Sequence, residues 1–278
     1  MRTSLWLLAL LWTSTHAQLS KEFKTHWFDG HAEISSYELI QSRYGELRNG
    51  KAVLIFVTED FLAKEQVKAN QKSTTTLPVL KSNRTKYFLT GIYPYNIMSS
   101  TFSSLRKNHS MIKSAASIQE WCGQSYLQLN TTKEELIVRS HSYFEGEADQ
   151  YLQLTNEVTE DGLWNLLRFS PEQLPTGSFN ILPALDFLRM NHLPLEIVAA
   201  KAVVTPGVYT LQMPSLGREL RIYFQETFPY TIDGWEETFP QKGKNYTTIA
   251  KRIHTERRQY WKENNSSSEV LRTPFKID

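Results

Sequence analysis

The chain has 278 residues, 40% of them hydrophobic and 22% charged, a mixture that excludes wholesale disorder. Thirty-one Lys and Arg stand against 29 Asp and Glu, a formal charge of +2, which argues against nucleic acid as a partner of the whole protein. The single cysteine, Cys122, excludes an internal disulfide framework and every multi-cysteine zinc module.

Residues 1–17 read as a cleavable signal peptide. Arg2 supplies the positive start, Leu5 to Trp12 the apolar core, and Thr15 and Ala17, either side of His16, the two small residues read before a cut that leaves Gln18 first. Eight apolar residues fall well short of the ~20 that a spanning helix needs. No cysteine follows the run for lipid attachment, and no later stretch reaches spanning length, so a periplasmic or secreted product is expected. Six Asn-x-Ser/Thr sequons, at Asn83, Asn108, Asn130, Asn245, Asn264 and Asn265, are what chance gives in a chain this rich in those residues. Bacterial export is therefore the expected context.

Along residues 18–278 the dominant hydrophobic period is two. Residues 51–57 carry the unbroken run Ala52 to Val57, a strand apolar on both faces. Asn49-Gly50 before it predicts a tight type I′ turn joining strands near 33–48 and 51–61. Further strands are expected near 78–89, 92–104, 112–121, 124–130, 136–143, 195–204, 207–213, 218–226, 231–239 and 246–255. Their short loops favour antiparallel pairing. Thr159 is placed to cap a helix through about residue 168, ended by Ser170-Pro171, and Pro183 opens a second through about residue 191. Ser266-x-x-Glu269 is a capping-box pattern for a short C-terminal helix.

The acidic segment 145–161 reads as a solvated linker that divides possible halves 18–150 and 156–278, although a single β-rich domain over 18–278 is the preferred organisation. The fold class expected is mainly β (α+β), a large curved antiparallel sheet or open barrel with a few covering helices.

Candidate chemistry is sparse. His26, Asp29, His31 and Glu33 form the densest group of metal-ligating residues, but only His31 and Glu33 would share a strand face, and no recognised ligand spacing is present. Cys122 is a candidate nucleophile if His141 on a neighbouring strand approaches it as base; the plainer reading is a small packed residue. Lys251, Arg252, Arg257 and Arg258 form a candidate patch for an anionic surface such as lipid headgroups. Trp27, Trp121 and Trp235 are the aromatics singled out for ligand contact. Neither a Gly-rich phosphate loop nor a GxSxG elbow occurs, and no acid/base dyad or cofactor is indicated.

Glu33-Ile-Ser-Ser-Tyr-Glu-Leu39, Thr90-Gly-Ile-Tyr-Pro-Tyr95, Gln119-Glu-Trp-Cys-Gly123, Leu174-Pro-Thr-Gly177 and Gly234-Trp-Glu-Glu-Thr238 together resemble a family of exported bacterial proteins often labelled "septum formation inhibitor Maf". The label implies a nucleotide pyrophosphatase of α/β fold. The Ser-x-Ser-Pro-Arg-Arg opening of those enzymes has no match here, since Ser170-Pro171 is followed by Glu172-Gln173, so no catalytic residue carries over. The expectation is an exported, non-enzymatic envelope protein whose curved sheet binds an amphiphile, another envelope component or a protein partner. A pyrophosphatase and a ligand-free interaction module are the alternatives.

Overall fold

The computed structural model describes residues 19–106 and 110–277. The signal-peptide expectation at 1–17 and the sequon at Asn108 lie outside the described residues. A short helix, α1 (Lys21–Trp27), opens the described chain; Ser20 Oγ accepts the Phe23 amide at 3.0 Å and caps it.

Nine strands follow, all but β3 forming a meander: β1 (Ala32–Arg43), β2 (Glu46–Leu62), β3 (Val67–Lys68), which pairs with β2 alone, β4 (Thr76–Thr90), β5 (Tyr93–Ser104), β6 (Met111–Glu120), β7 (Gly123–Thr131), β8 (Glu135–Ser142) and β9 (Gln150–Thr155). After β10 (Val158–Thr159) comes α2 (Glu160–Phe169), then β11 (Gly177–Leu182) and α3 (Leu185–Met190). A second meander runs through β12 (Val198–Thr205), β13 (Val208–Met213), β14 (Arg218–Phe224), β15 (Ile232–Gln241) and β16 (Lys244–Arg258). Two 3₁₀ stretches, Tyr260–Lys262 and Ser266–Phe275, make a C-terminal strap.

All sixteen strands belong to one sheet, because β16 pairs antiparallel with β1 and so joins the two meanders. The described pairings are antiparallel except β10 with β11. The two ends of the strand order, β9 and β10, are separated in sequence by Asn156 and Glu157 alone. Three virtual bonds of 3.8 Å hold Thr155 and Val158 within about 11 Å of each other. The sheet therefore curls until its two end strands come close at that link, and a covalent connection spans the seam where hydrogen bonds do not. This is the mainly β architecture expected, not the α/β fold that the pyrophosphatase label implies.

Inside the curl the helices fill the space. α2 packs against β4, β5 and β6, and α3 against β5 and β6. Leu163, Trp164 and Leu167 of α2 meet Leu54, Phe56, Leu80 and Trp235 in one apolar cluster; Leu185, Phe187 and Leu188 of α3 meet Ile97, Leu127 and Leu136 in another. The rings of Trp164 and Trp235 cross at 88° with centroids 5.5 Å apart, an edge-to-face arrangement favoured by their quadrupoles.

Four sequence expectations are corrected. The first hairpin turns at Tyr44-Gly45, both at positive φ (59° and 78°), and pairs Arg43 with Glu46. Asn49-Gly50 instead lies inside β2, where a Cβ on Gly50 would stand 2.4 Å from the Tyr87 carbonyl and 2.8 Å from Phe88 Cβ; that glycine serves close approach of β4. The acidic segment is not a solvated linker, since it contains β9 and buries Glu160 and Asp161. At Ser266 no side-chain cap forms; Asn265 holds the capping position and the chain winds as 3₁₀ through Pro274. Thr159 does precede α2, but its hydroxyl donates to Met111 Sδ at 3.1 Å and does not cap the helix.

Candidate ligand-binding site

A ligand could lie in the interior of the curl or in a crevice on its outside. The interior is polar as well as apolar, and its charges are matched. Arg168 of α2 forks onto both oxygens of Glu33 on β1, at 2.6 and 2.8 Å. Arg218 of β14 does the same to Glu160, at 2.5 and 2.8 Å, and reaches Glu237 at 3.0 Å. Asp161 accepts from Arg84 and from Ser114 Oγ, the latter at 2.8 Å, while Lys86 meets Asp186 at 2.9 Å. Arg43 donates to the Met190 carbonyl and to Tyr95 Oη, the latter at 3.1 Å.

Burial in this setting raises carboxyl pKa values, and the facing cations oppose it. For Glu33 the Arg168 guanidinium and His26 outweigh desolvation and bring it down to about 2. Asp186 likewise falls to about 2, held by Lys86 and Arg84 against desolvation. Asp161 goes the other way: desolvation prevails over Arg84 and its pKa rises. The voids left among these groups measure about 30 Å³ beside Arg43 and Asp186, and about 20 Å³ beside Trp164 and Arg218. Each has room for a water or two. The helices thus occupy the inner face of the curl.

On the outside, the strap folds back over β1, β2 and β4. Ile34 and Ile55 stand opposite each other across β1 and β2, and Val53 opposes Thr85 across β2 and β4. These side chains face away from the core row Ala52, Leu54 and Phe56. Phe275 anchors the strap: it is buried, with its ring edge-on to His254 at 5.0 Å. Between strap and sheet lies a crevice of about 530 Å³, within the range of small-molecule sites. Its floor on the sheet is apolar, made by Ile34, Val53 and Ile55, and its cover on the strap adds Leu271, Phe275 and Ile277. Its rim is polar, with Asn264, Asn265, Ser266 and Ser268, and carries balanced charge from Arg258 and Arg272 against Glu263 and Glu269. Arg258 donates from Nε and Nη2 to Glu263, both at 2.8 Å, which holds that carboxyl below its ordinary pKa.

The residues singled out from sequence are dispersed. Trp27 is fully buried beneath the Arg168 guanidinium, and Trp235 is buried against Tyr37 and Trp164; both are core. Trp121 is 68% exposed at the β6–β7 turn, apart from the crevice lining. His31 Nδ1 lies 3.2 Å from Asp29, whereas Glu33 points inward to Arg168, so the pair is not brought together as ligands. Among the described residues no group of three or more His, Cys, Asp or Glu converges.

Cys122 is exposed in the β6–β7 turn, and Glu120, accepting its amide at 2.7 Å, raises the thiol pKa. His141 pairs with Asp149 at 3.3 Å and opposes Tyr126 across the sheet. No thiol–imidazole pair results. The basic patch is also dissolved: Arg252 meets Asp233 at 2.6 Å, Arg257 meets Asp29 at 2.8 Å, and Arg258 is shared by Glu256 and Glu263. Lys251 alone of the four stays exposed without such a partner among the described residues.

The crevice was missed because its floor and its cover are more than 200 residues apart in sequence. The available signal was the run Ala52 to Val57, whose outward members Val53, Ile55 and Val57 required cover from somewhere. No protein-family model and no curated protein matches this chain. Among solved structures, a β-barrel-like protein from Brucella abortus, of a domain of unknown function termed DUF1849, is similar at a TM-score of 0.47 and 7% identity, covering 82% of this chain and 98% of that one. No helix among the described residues is long and apolar enough to cross a membrane.

Proposed function

We propose that this is an exported bacterial protein of the cell envelope that binds an amphiphile in the crevice beneath its C-terminal strap, and that it is a binding protein and not an enzyme. The observation that carries the reading is the chemistry of the crevice: about 530 Å³ with an aliphatic floor and a rim of amides, hydroxyls and matched charges. An acyl chain would lie over Ile34, Val53 and Ile55, where its burial removes apolar surface from water at roughly 25 cal/mol per Å². The neutral rim suits a polar or zwitterionic headgroup, since a strongly anionic one would have to displace Glu263 from Arg258. Export rests on the apolar leader at 1–17 and on the resemblance to exported proteins.

The test is titration of the purified mature protein with a zwitterionic probe, a phosphatidylcholine carrying a fluorophore on its acyl chain, alongside native mass spectrometry after gentle extraction. Saturable binding is expected, weakened at least about tenfold by Ile55→Lys, with circular dichroism unchanged because Ile55 faces away from the core. Binding that is absent, or indifferent to Ile55→Lys, overturns the crevice as the site.

A further inference from the structure

The seam of the sheet is unfinished in a way that has a chemistry of its own. β9 ends the strand order, and its outer edge has no partner strand among the described residues. The Asn156 amide bonds to the Glu134 carbonyl at 3.0 Å, which makes that pair a hydrogen-bonded one. Alternation along an antiparallel ladder then assigns Gln150, Leu152 and Leu154 to the β8 side. The backbone N–H and C=O groups of Tyr151, Gln153 and Thr155 consequently face outward.

Across the seam, residues 193–197 run into β12 with the same period of two: Leu193, Leu195 and Ile197 are half-buried, while Pro194 and Glu196 are exposed. Leu152 and Leu154, inward-facing on β9, are only half-buried as well. A cavity of about 420 Å³ separates the two segments, with Leu127, Leu152, Leu193 and Leu195 in its wall. The cavity wall is balanced, with Glu196 beside a Glu147 carboxylate that Arg189 and His192 share. The edge is acidic: around β8 and β9, Glu134, Glu135, Glu145, Asp149 and Glu157 stand against Lys133 and Arg139.

We propose that this seam is a docking slot for an extended, basic segment of a partner protein, which adds to β9 as a further strand. The open edge supplies the main-chain hydrogen bonds, the half-wet leucines accept alternate apolar side chains, and the carboxylates select basic residues on the other face. A second copy of this chain is disfavoured as occupant, because it would bring the same carboxylates against their own kind.

The probe is a fluorescein-labelled nine-residue peptide alternating valine with lysine and arginine. Two controls accompany it, one with glutamate at the basic positions and one with a central proline. Binding of the basic peptide is expected in fluorescence anisotropy, with both controls at least about tenfold weaker. Hydrogen exchange on the unaltered protein should slow at the amides of Tyr151, Gln153 and Thr155 when the basic peptide is present. Gln153→Pro deletes one outward N–H and leaves the bonds to β8 in place, so it should abolish binding at an unchanged unfolding midpoint.

The proposal fails if the basic peptide does not bind, if the glutamate peptide binds as well, or if the protected amides lie elsewhere. It also fails if sedimentation shows a dimer in which those three amides are already protected. Should Gln153→Pro not fold, the exchange pattern of the unaltered protein decides by itself.

Discussion

Arg168 and Glu33 are exposed by 1% and 2%, and neither has water available as a substitute partner. Arg168→Ala is expected to cost roughly 3–5 kcal/mol, because it strands a buried carboxylate, and urea titration reads this directly. The paired change Glu33→Leu with Arg168→Met should recover most of that loss, since the two charges are removed together. The same carboxylate sets an acid limit. Its folded pKa of about 2 lies below the ordinary 4.5, so the unfolded chain binds the proton more tightly. Its stabilising contribution is full above about pH 4.5 and is lost as pH falls towards 2. Asp186, at about 2 in the fold, acts in the same sense, whereas Asp161, raised by burial, acts in the opposite one. Glu33→Gln should therefore flatten the dependence of the unfolding free energy on pH between about 4.5 and 2, measured by urea titration at each pH. None of these partnerships was legible from sequence. Glu160 and Asp161 look like part of a like-charge block there, because their partners Arg218 and Arg84 lie 58 and 77 residues away along the chain.

At the scale of elements, alternation proved a reliable guide and turn chemistry a weaker one. The strands expected near 78–89, 92–104, 112–121, 124–130, 136–143, 207–213 and 218–226 coincide closely with β4 to β8, β13 and β14, because each carries its own row of inward apolar residues. The first hairpin shows the limit. Asn49-Gly50 has the better local preference for a I′ turn, yet turning there would leave Ile40, Gln41, Ser42 and Arg43 without the partners they find at residues 46–49. The chain places the strain on Tyr44 instead. Two substitutions separate these readings: Gly50→Ala is expected to destabilise by about 1–3 kcal/mol, through collision with the Tyr87 carbonyl. Asn49→Ala, on an exposed strand position, should stay within about 0.5 kcal/mol. A turn at 49–50 would make Asn49 the sensitive residue. α1 and β9 escaped notice for a related reason: α1 has seven residues with two apolar anchors, and β9 is half-polar because its inward row meets the open seam.

For the whole molecule, one sheet unites the regions on either side of the acidic segment. β1 and β16 pair over residues 32–40 and 249–258, and α2 and α3, which follow the segment, pack on β4 to β6, which precede it. Unfolding in urea should therefore be a single transition, with tryptophan fluorescence and far-ultraviolet circular dichroism giving coincident curves. Two separated steps would mean that 18–150 and 156–278 fold as independent halves. The architecture was legible because period two and short loops leave few alternatives to an antiparallel meander. Which side of the sheet would carry a ligand was not, since that depends on where two helices and a strap come to rest.

The pairing of β1 with β16 also fixes when this fold can be completed. The strand laid down first on the ribosome has an empty flank until the residue that matches Ala32, Arg258, has been synthesised. The inner strands can zip together as they emerge, but the closing pair of this sheet waits for the last strand to be made.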